Sequence, residues 1–169
     1  ANAHYGASKM RWLLDNTVAV REAAQQGHLC IAPLAGYLCR GLTKTNHTTV
    51  DAVIASRTLL TEISALHWSS TLLDFFAIPQ TVLPEILESL ADYGEIFVGD
   101  VPVPLRLLGG DQSFFVLSYG EKFDDSAVFI NAGTGAFVQQ LMPAADVPPP
   151  LLVSPLMIAE DLKKTVVVA

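Results

Sequence analysis

Met10, Leu13, Leu14 and Val18 recur at helical spacing and predict a helix from about residue 8. The next stretch, "TVAVREAAQQGH" (17–28), is rich in helix formers and stops at Gly27, which suits a C-cap. "HLCIAPL" (28–34) is a short apolar run broken by Pro33, and "AGYLCRGLT" (35–43) predicts a further helix. Asp51 stands as N-cap before "AVIASRTLL" (52–60). "HWSSTLLDFFAIP" (67–79) predicts a helix that opens at Ser69 or Ser70 and ends before Pro79. "QTVLPEILESLADYG" (80–94) predicts another, stopping at Gly94.

Beyond residue 96 the pattern changes. "VPVPLRLLGG" (101–110) is strand-like, and its prolines assign it to an edge or an entry position. "SFFVLSYG" (113–120) predicts a short helix after a Gly-Gly turn. "AVFIN" (127–131) and "AFVQQL" (136–141) are the arms of a hairpin around Ala-Gly-Thr-Gly. A stiff connection, "PAADVPPP" (143–150), precedes two apolar runs, the last being the β-branched "KKTVVVA" (163–169). The expected class is α/β, helix-rich first and then β-strands. The chain starts directly in a helix and stops in an apolar strand that needs a neighbour, so the expectation is a piece of a larger protein. A complete small domain with a C-terminal edge strand is the alternative.

Composition narrows the function. A chain of 169 residues makes one domain or two small ones, and 51% hydrophobic against 16% charged residues makes it a core-forming chain. The net charge is −7 with no Lys/Arg run, which argues against nucleic acid and anionic membrane as partners. No apolar run approaches the roughly 18 residues of a membrane span, and "ANAHYGASKMRW" does not read as a signal peptide. Cys30 and Cys39 lack metal-ligand spacing and read as buried thiols of a reducing cytoplasm. His28, His47 and His67 lack it too. Trp12 and Trp68 read as core anchors, and Arg57 as a member of a structural ion pair.

The chemistry concentrates in "LRLLGGDQSFF" (105–115), where a carboxylate and an amide follow a Gly-Gly turn between two apolar flanks. The plain reading makes Asp111 the N-cap of the next helix. A second feature follows about twenty residues on. In Gly133-Thr134-Gly135, glycines flank a hydroxyl at a hairpin tip, which lets backbone N–H groups and the Thr oxygen approach a phosphate.

These blocks resemble the FGGY-type carbohydrate kinases, the family of glycerol kinase and xylulokinase. "SKMRWLLDN" (8–16) resembles the family's Lys-x-x-Trp-[Leu/Ile]-Leu-Asp-Asn helix, and "VREAAQQGHL" (20–29) the helix and Gly after it. "GYLCRGLT" (36–43) stands where the family has an apolar helix ending in Leu-Thr. "DAVIASRTLLTEISALHWSSTLLDFFAIPQTVLPEI" (51–86) is similar to the Asp…Ala-Ser-Arg-Thr…Trp…Ile-Pro…Leu-Pro-Glu segment. "LLGGDQ" (107–112) carries Gly-Asp-Gln, and "NAGTGAFV" (131–138) carries Gly-Thr-Gly. Six blocks lie in the family's order and spacing.

The resemblance implies part of an actin-like, ribonuclease-H-like sugar kinase fold. Residues 1–120 would be the later part of the N-terminal domain and 121–169 the first strands of the C-terminal one. It implies ATP and Mg²⁺ as cofactors, a sugar or polyol as substrate, a cytoplasmic setting, a possible homo-oligomer, and no metal ligand within this chain. Asp111 would be the general base, with Gln112 beside it on the substrate, and Gly133, Thr134 and Gly135 on the transferring phosphate. His4 falls where glycerol kinase places a substrate-contacting Tyr, which puts glycerol itself in doubt. Two further departures are Ile54, where an Asn is common, and Ala35, where the family has an Asp. Family members open with an Asp-x-Gly-Thr strand turn and close with a Gly-rich adenosine site, and neither is present in these residues. The expected function is phosphorylation of a sugar or polyol hydroxyl, the chain alone being inactive. The alternative is a non-catalytic, ligand-binding or self-associating fragment.

Overall fold

A computed structural model of the chain describes residues 5–62, 67–119, 126–142, 146, 152–157 and 164–168. Helix α1 (Gly6–Asn16) buries Ala7, Met10 and Leu14, one stripe at spacings of three and four. Trp12 lies off that stripe and is 60% exposed, so the expected core anchor is a surface residue. Helix α2 (Val18–Gln25) packs against α1 and ends at Gly27, which takes the left-handed φ of 71°. Helix α3 (Leu34–Thr43) crosses strand β1 (Thr49–Asp51) so closely that a Cβ on Gly36 would sit 2.9 Å from the Thr49 carbonyl oxygen. Cys39 on this helix is buried, whereas Cys30 in the preceding loop is exposed and not the expected buried thiol.

Strand β1 runs into helix α4 (Ala52–Ser56), shorter than the sequence pattern suggests. Helix α5 (Ser70–Phe76) follows with Ser69 at its N-cap. Residues 80–94 do not form the expected helix. Pro84 pushes Leu83 to extended backbone (φ −108°, ψ 151°). A single 3₁₀ turn, Gln80–Val82, therefore gives way to strand β2 (Glu85–Leu87), which pairs in parallel with β1. A first core gathers Val50, Ala55, Leu60, Trp68, Leu73 and Val82 beneath these elements. Trp68 is the anchor the sequence suggests, its indole N–H donating to the Pro84 carbonyl at 2.8 Å.

Strands β3 (Glu95–Val98) and β4 (Val101–Pro104) form an exposed antiparallel hairpin. Pro102 and Pro104 fit there because β4 pairs with β3 alone among the described strands. The chain then returns toward the first core, with the Leu108 N–H donating to the Ser89 carbonyl at 3.0 Å. It passes the Gly-Gly turn and enters helix α6 (Asp111–Leu117). Gly109 lets the Phe114 ring pack close, since a Cβ on it would meet that ring at 2.9 Å and force it to shift.

Strands β5 (Val128–Ala132) and β6 (Ala136–Leu141) form the expected hairpin. The last two strands are β7 (Leu152–Met157) and β8 (Lys164–Val168), and the sheet order is β5-β6-β8-β7. The terminal β-branched run is thus paired on both sides, with β6 and with β7, and is no edge strand. A second core joins α6 to this sheet through Val116, Phe129 and Leu156. Helix α4 packs against β7 and links the two cores. Among the described residues no helix is long and apolar enough to cross a membrane.

Candidate active site

Where α4, the start of α6, β6 and β7 meet, they enclose a cleft of about 210 Å³. That is below the roughly 300–1,000 Å³ of drug-sized ligand pockets, and suits a small acceptor better than a whole nucleotide. Its polar lining is Arg57, Asp111, Gln112, Ser113, Gln139 and Ser154, and its apolar lining includes Val53, Ile54 and Phe137. A larger cavity of about 700 Å³ beside α3 is lined by Leu13, Tyr37, Arg40, Lys44 and other residues, none of them a carboxylate. Of the two, the smaller cleft is the one lined by a carboxylate.

Asp111 and Gln112 begin α6. The N-cap position itself is held by Gly110, so Asp111 is the first helical residue and not the cap. An exposed carboxylate results, whose Oδ1 accepts the Gln112 backbone N–H at 2.9 Å. The Gln112 side chain is held at both ends. Its Nε2 lies 3.5 Å from Asp111 Oδ2, and its Oε1 accepts from Asn131 Nδ2 at 3.2 Å. Asn131, near the end of β5, therefore orients the amide that neighbours the acid. Sequence reasoning missed it, although it opens the block "NAGTGAFV".

Gly133, Thr134 and Gly135 form the exposed tip between β5 and β6. The Gly133 N–H donates to the Gly135 carbonyl at 2.7 Å and closes the tip on itself. The tip does not line the cleft. Phe137, two residues along β6, does, and at strand rise two residues span about 7 Å. His4 lies outside the described residues.

Two residues behave differently from their simplest reading. Arg57 makes no ion pair with the described carboxylates. It follows the end of α4, faces the cleft, and carries its guanidinium 5.8 Å from the Tyr5 ring centroid. Asp51 is the expected cap, and more. Its carboxylate accepts from Val53 N at 3.0 Å, Ile54 N at 3.1 Å and Ser89 Oγ at 3.2 Å, while fully buried. Burial outweighs these bonds and pushes its pKa up to about 6. Asp51 sits behind α4, whose Val53 and Ile54 line the cleft, and is not itself a lining residue.

Comparison with known proteins gives the frame for this geometry. Residues 1–117 match the FGGY family of carbohydrate kinases, N-terminal domain. A glycerol kinase of Natranaerobius thermophilus is 34% identical over 140 residues, which are 81% of this chain and 28% of that protein. One from Thermococcus kodakarensis is 37% identical over 141 residues, again 81% of this chain and 27% of the relative. The chain thus spans well under a third of the length of these curated relatives. The fold is similar to that in a crystal structure of Plasmodium falciparum glycerol kinase with ADP, with a TM-score of 0.86 at 24% identity. That superposition covers 99% of this chain and 34% of the other. The xylulose kinase of Rhodospirillum rubrum gives 0.76 at 15% identity, covering 99% of this chain and 34% of the other. At such identities these structures establish the actin-like sugar kinase fold alone. With its fold shared and more than two thirds of its length matched, the chain belongs to the FGGY family of carbohydrate kinases.

Proposed function

We propose that this chain supplies the acceptor-side wall of an ATP-dependent kinase that phosphorylates a sugar or polyol hydroxyl, with Asp111 as general base. The observation that carries the reading is the Asn131–Gln112–Asp111 chain of contacts at a small, mixed polar and apolar cleft. The Asp111 carboxylate would accept the proton of the attacking hydroxyl, an action typically contributing about 10²- to 10⁴-fold. Gln112, fixed by Asn131, would orient that hydroxyl or its neighbour. Phe137 and Ile54 would exclude water from the apolar side. The Thr134 hydroxyl and the Gly135 N–H would meet the transferring phosphate, since the Gly133 N–H is already engaged in the tip. His4 remains a proposed substrate contact.

Phosphoryl transfer has a loose transition state, so positioning and charge stabilisation dominate over covalent work by the protein. Among the described residues no three His, Cys, Asp or Glu side chains gather into a metal site. The described residues thus offer no multi-carboxylate cage for Mg²⁺. Mg²⁺ commonly binds through substrate phosphates, water and only one or two carboxylates, so it would enter with ATP. We also place the domain division near residue 120, with α6 packing across it onto the strands of the second domain. A cytoplasmic setting goes with this reading.

A second reading is favoured by one feature of the surface. Leu34, Tyr37, Leu38 and Leu42 on α3 are each 48% exposed or more, an apolar helix face that would drive self-association of the 169 residues taken alone. A panel of sugars and polyols, assayed for acceptor-dependent ATP consumption with the full-length polypeptide carrying this segment, tests the kinase reading. Turnover of at least one is expected, and none across the panel would refute it.

A further inference from the structure

Along β6, residues 137, 139 and 141 share a face, because strand side chains alternate. Phe137 and Leu141 on that face pack against the second core. Between them stands Gln139, opposite the buried Phe129 of β5. It is 3% exposed, and its Oε1 has no hydrogen-bond partner among the described residues. A buried carbonyl without a donor is costly, and a Leu or Met at this position would avoid the cost. An unpaired group in a native interior calls for a cause. Gln139 also lines the cleft that holds Asp111 and Gln112, and among the described polar side chains of the cleft it alone has a buried oxygen with no described partner.

We propose that Gln139 is a specificity-determining residue whose side-chain amide, which lines the cleft with its oxygen turned inward, rotates on acceptor binding so that Oε1 accepts a hydrogen bond from a hydroxyl of the acceptor other than the one phosphorylated. This rests on the kinase reading above and adds to it the residue that reads a second hydroxyl of the acceptor. The molecule is polyhydroxylated: one hydroxyl faces Asp111 and a second satisfies Gln139 within the same small cleft. The residue does its work on binding, so the ligand-free protein carries an unsatisfied group that the acceptor relieves. A site built to accept from a hydroxyl rejects the analogue that lacks it far more strongly than an apolar pocket rejects a misfit.

The test compares wild type with Gln139→Leu in the full-length kinase, using the preferred acceptor and its single-deoxy analogues. Removing the amide should lower kcat/KM for the preferred acceptor at least tenfold and leave the KM for ATP within twofold. One deoxy analogue, the one lacking the hydroxyl that Gln139 receives, should be used by both proteins within twofold. The ligand-free variant should melt no lower than wild type. Gln139→Met keeps the length of the side chain and serves the same comparison if the Leu variant does not fold. An undiminished kcat/KM, or an equal loss for the parent acceptor and every deoxy analogue, would overturn the inference and leave the kinase reading standing. Should wild type phosphorylate no acceptor, the kinase reading fails by itself. Calorimetric binding of the same panel then decides Gln139: tenfold weaker binding by the variant supports the role, and equal or undetectable binding by both proteins overturns it.

Discussion

Replacing Asp51 with Asn should raise the protein's stability relative to wild type as pH increases, and the size of the effect follows from a competition at one carboxylate. Three donors point at it, and accepting such bonds favours the charged form and lowers a carboxylate's pKa. Burial opposes them and wins, moving the pKa from the ordinary 3.8 up to about 6. Between those two values the folded state binds more protons than the unfolded state. The free energy of unfolding therefore falls as pH rises through that window, and the full cost is present above it. Two units at 1.36 kcal/mol each come to roughly 3 kcal/mol. Asn also serves as an N-cap, so Asp51→Asn changes stability by a constant offset and does not titrate. The difference, variant minus wild type, should grow by roughly 3 kcal/mol between pH 3 and pH 8, or about 6–12 °C in Tm for a chain of this size. Neighbouring Tyr93, its own pKa raised mainly by burial, stays neutral across the range. Urea denaturation at a series of pH values, followed by fluorescence of the buried Trp68, reads the effect. A difference that is flat with pH, or that shrinks as pH rises, would show that the capping bonds outweigh desolvation and would refute the reasoning.

Further outcomes follow from the cleft and the hairpin. Thr134→Val in the full-length kinase removes one hydroxyl at the tip while keeping its shape, and should raise the KM for ATP or lower kcat. Unchanged ATP kinetics would reduce Gly-Thr-Gly to a turn. The 169 residues alone should phosphorylate no sugar in a coupled ATP-consumption assay. Holding metal, nucleotide and acceptor together is worth roughly 7–11 kcal/mol of barrier, and on the proposed reading this cleft would supply the acceptor side only. Light scattering on the same sample should show self-association through the apolar face of α3, and sugar-dependent turnover by a monodisperse monomer would overturn both statements.

The local signals in the sequence were reliable where the chain decides its own conformation. The Gly27 stop, the Asp51 cap, the edge position of the Pro-bearing strand β4 and the β5–β6 hairpin all follow from short-range rules. What failed depends on distant partners. Residues 85–87 have helix-compatible composition but are drawn into a parallel pair with β1, more than thirty residues earlier, once Pro84 has broken the helix. Nothing local says that the last run inserts between β6 and β7. Trp12 has apolar neighbours on its helix, which suggests a buried face, but the stripe that α1 buries runs through Ala7, Met10 and Leu14 and excludes it. At the cleft, Asp111 and Gln112 were legible from their motif. Asn131 and Gln139 were not read, yet Gln139 left a mark: a polar residue between Phe137 and Leu141 on an otherwise apolar strand face.

The central claim is that Asp111 takes the proton of the acceptor hydroxyl. Steady-state kinetics of Asp111→Asn in the full-length kinase, with ATP and the preferred acceptor, tests it directly. Asn keeps the shape and the hydrogen bond to the start of α6 but has no basic oxygen. The account predicts that kcat falls by two or more orders of magnitude while the melting temperature and the KM for ATP stay close to wild type. A variant that retains more than about a tenth of wild-type kcat would show that Asp111 only shapes the first turn of α6, and the general-base assignment would be withdrawn.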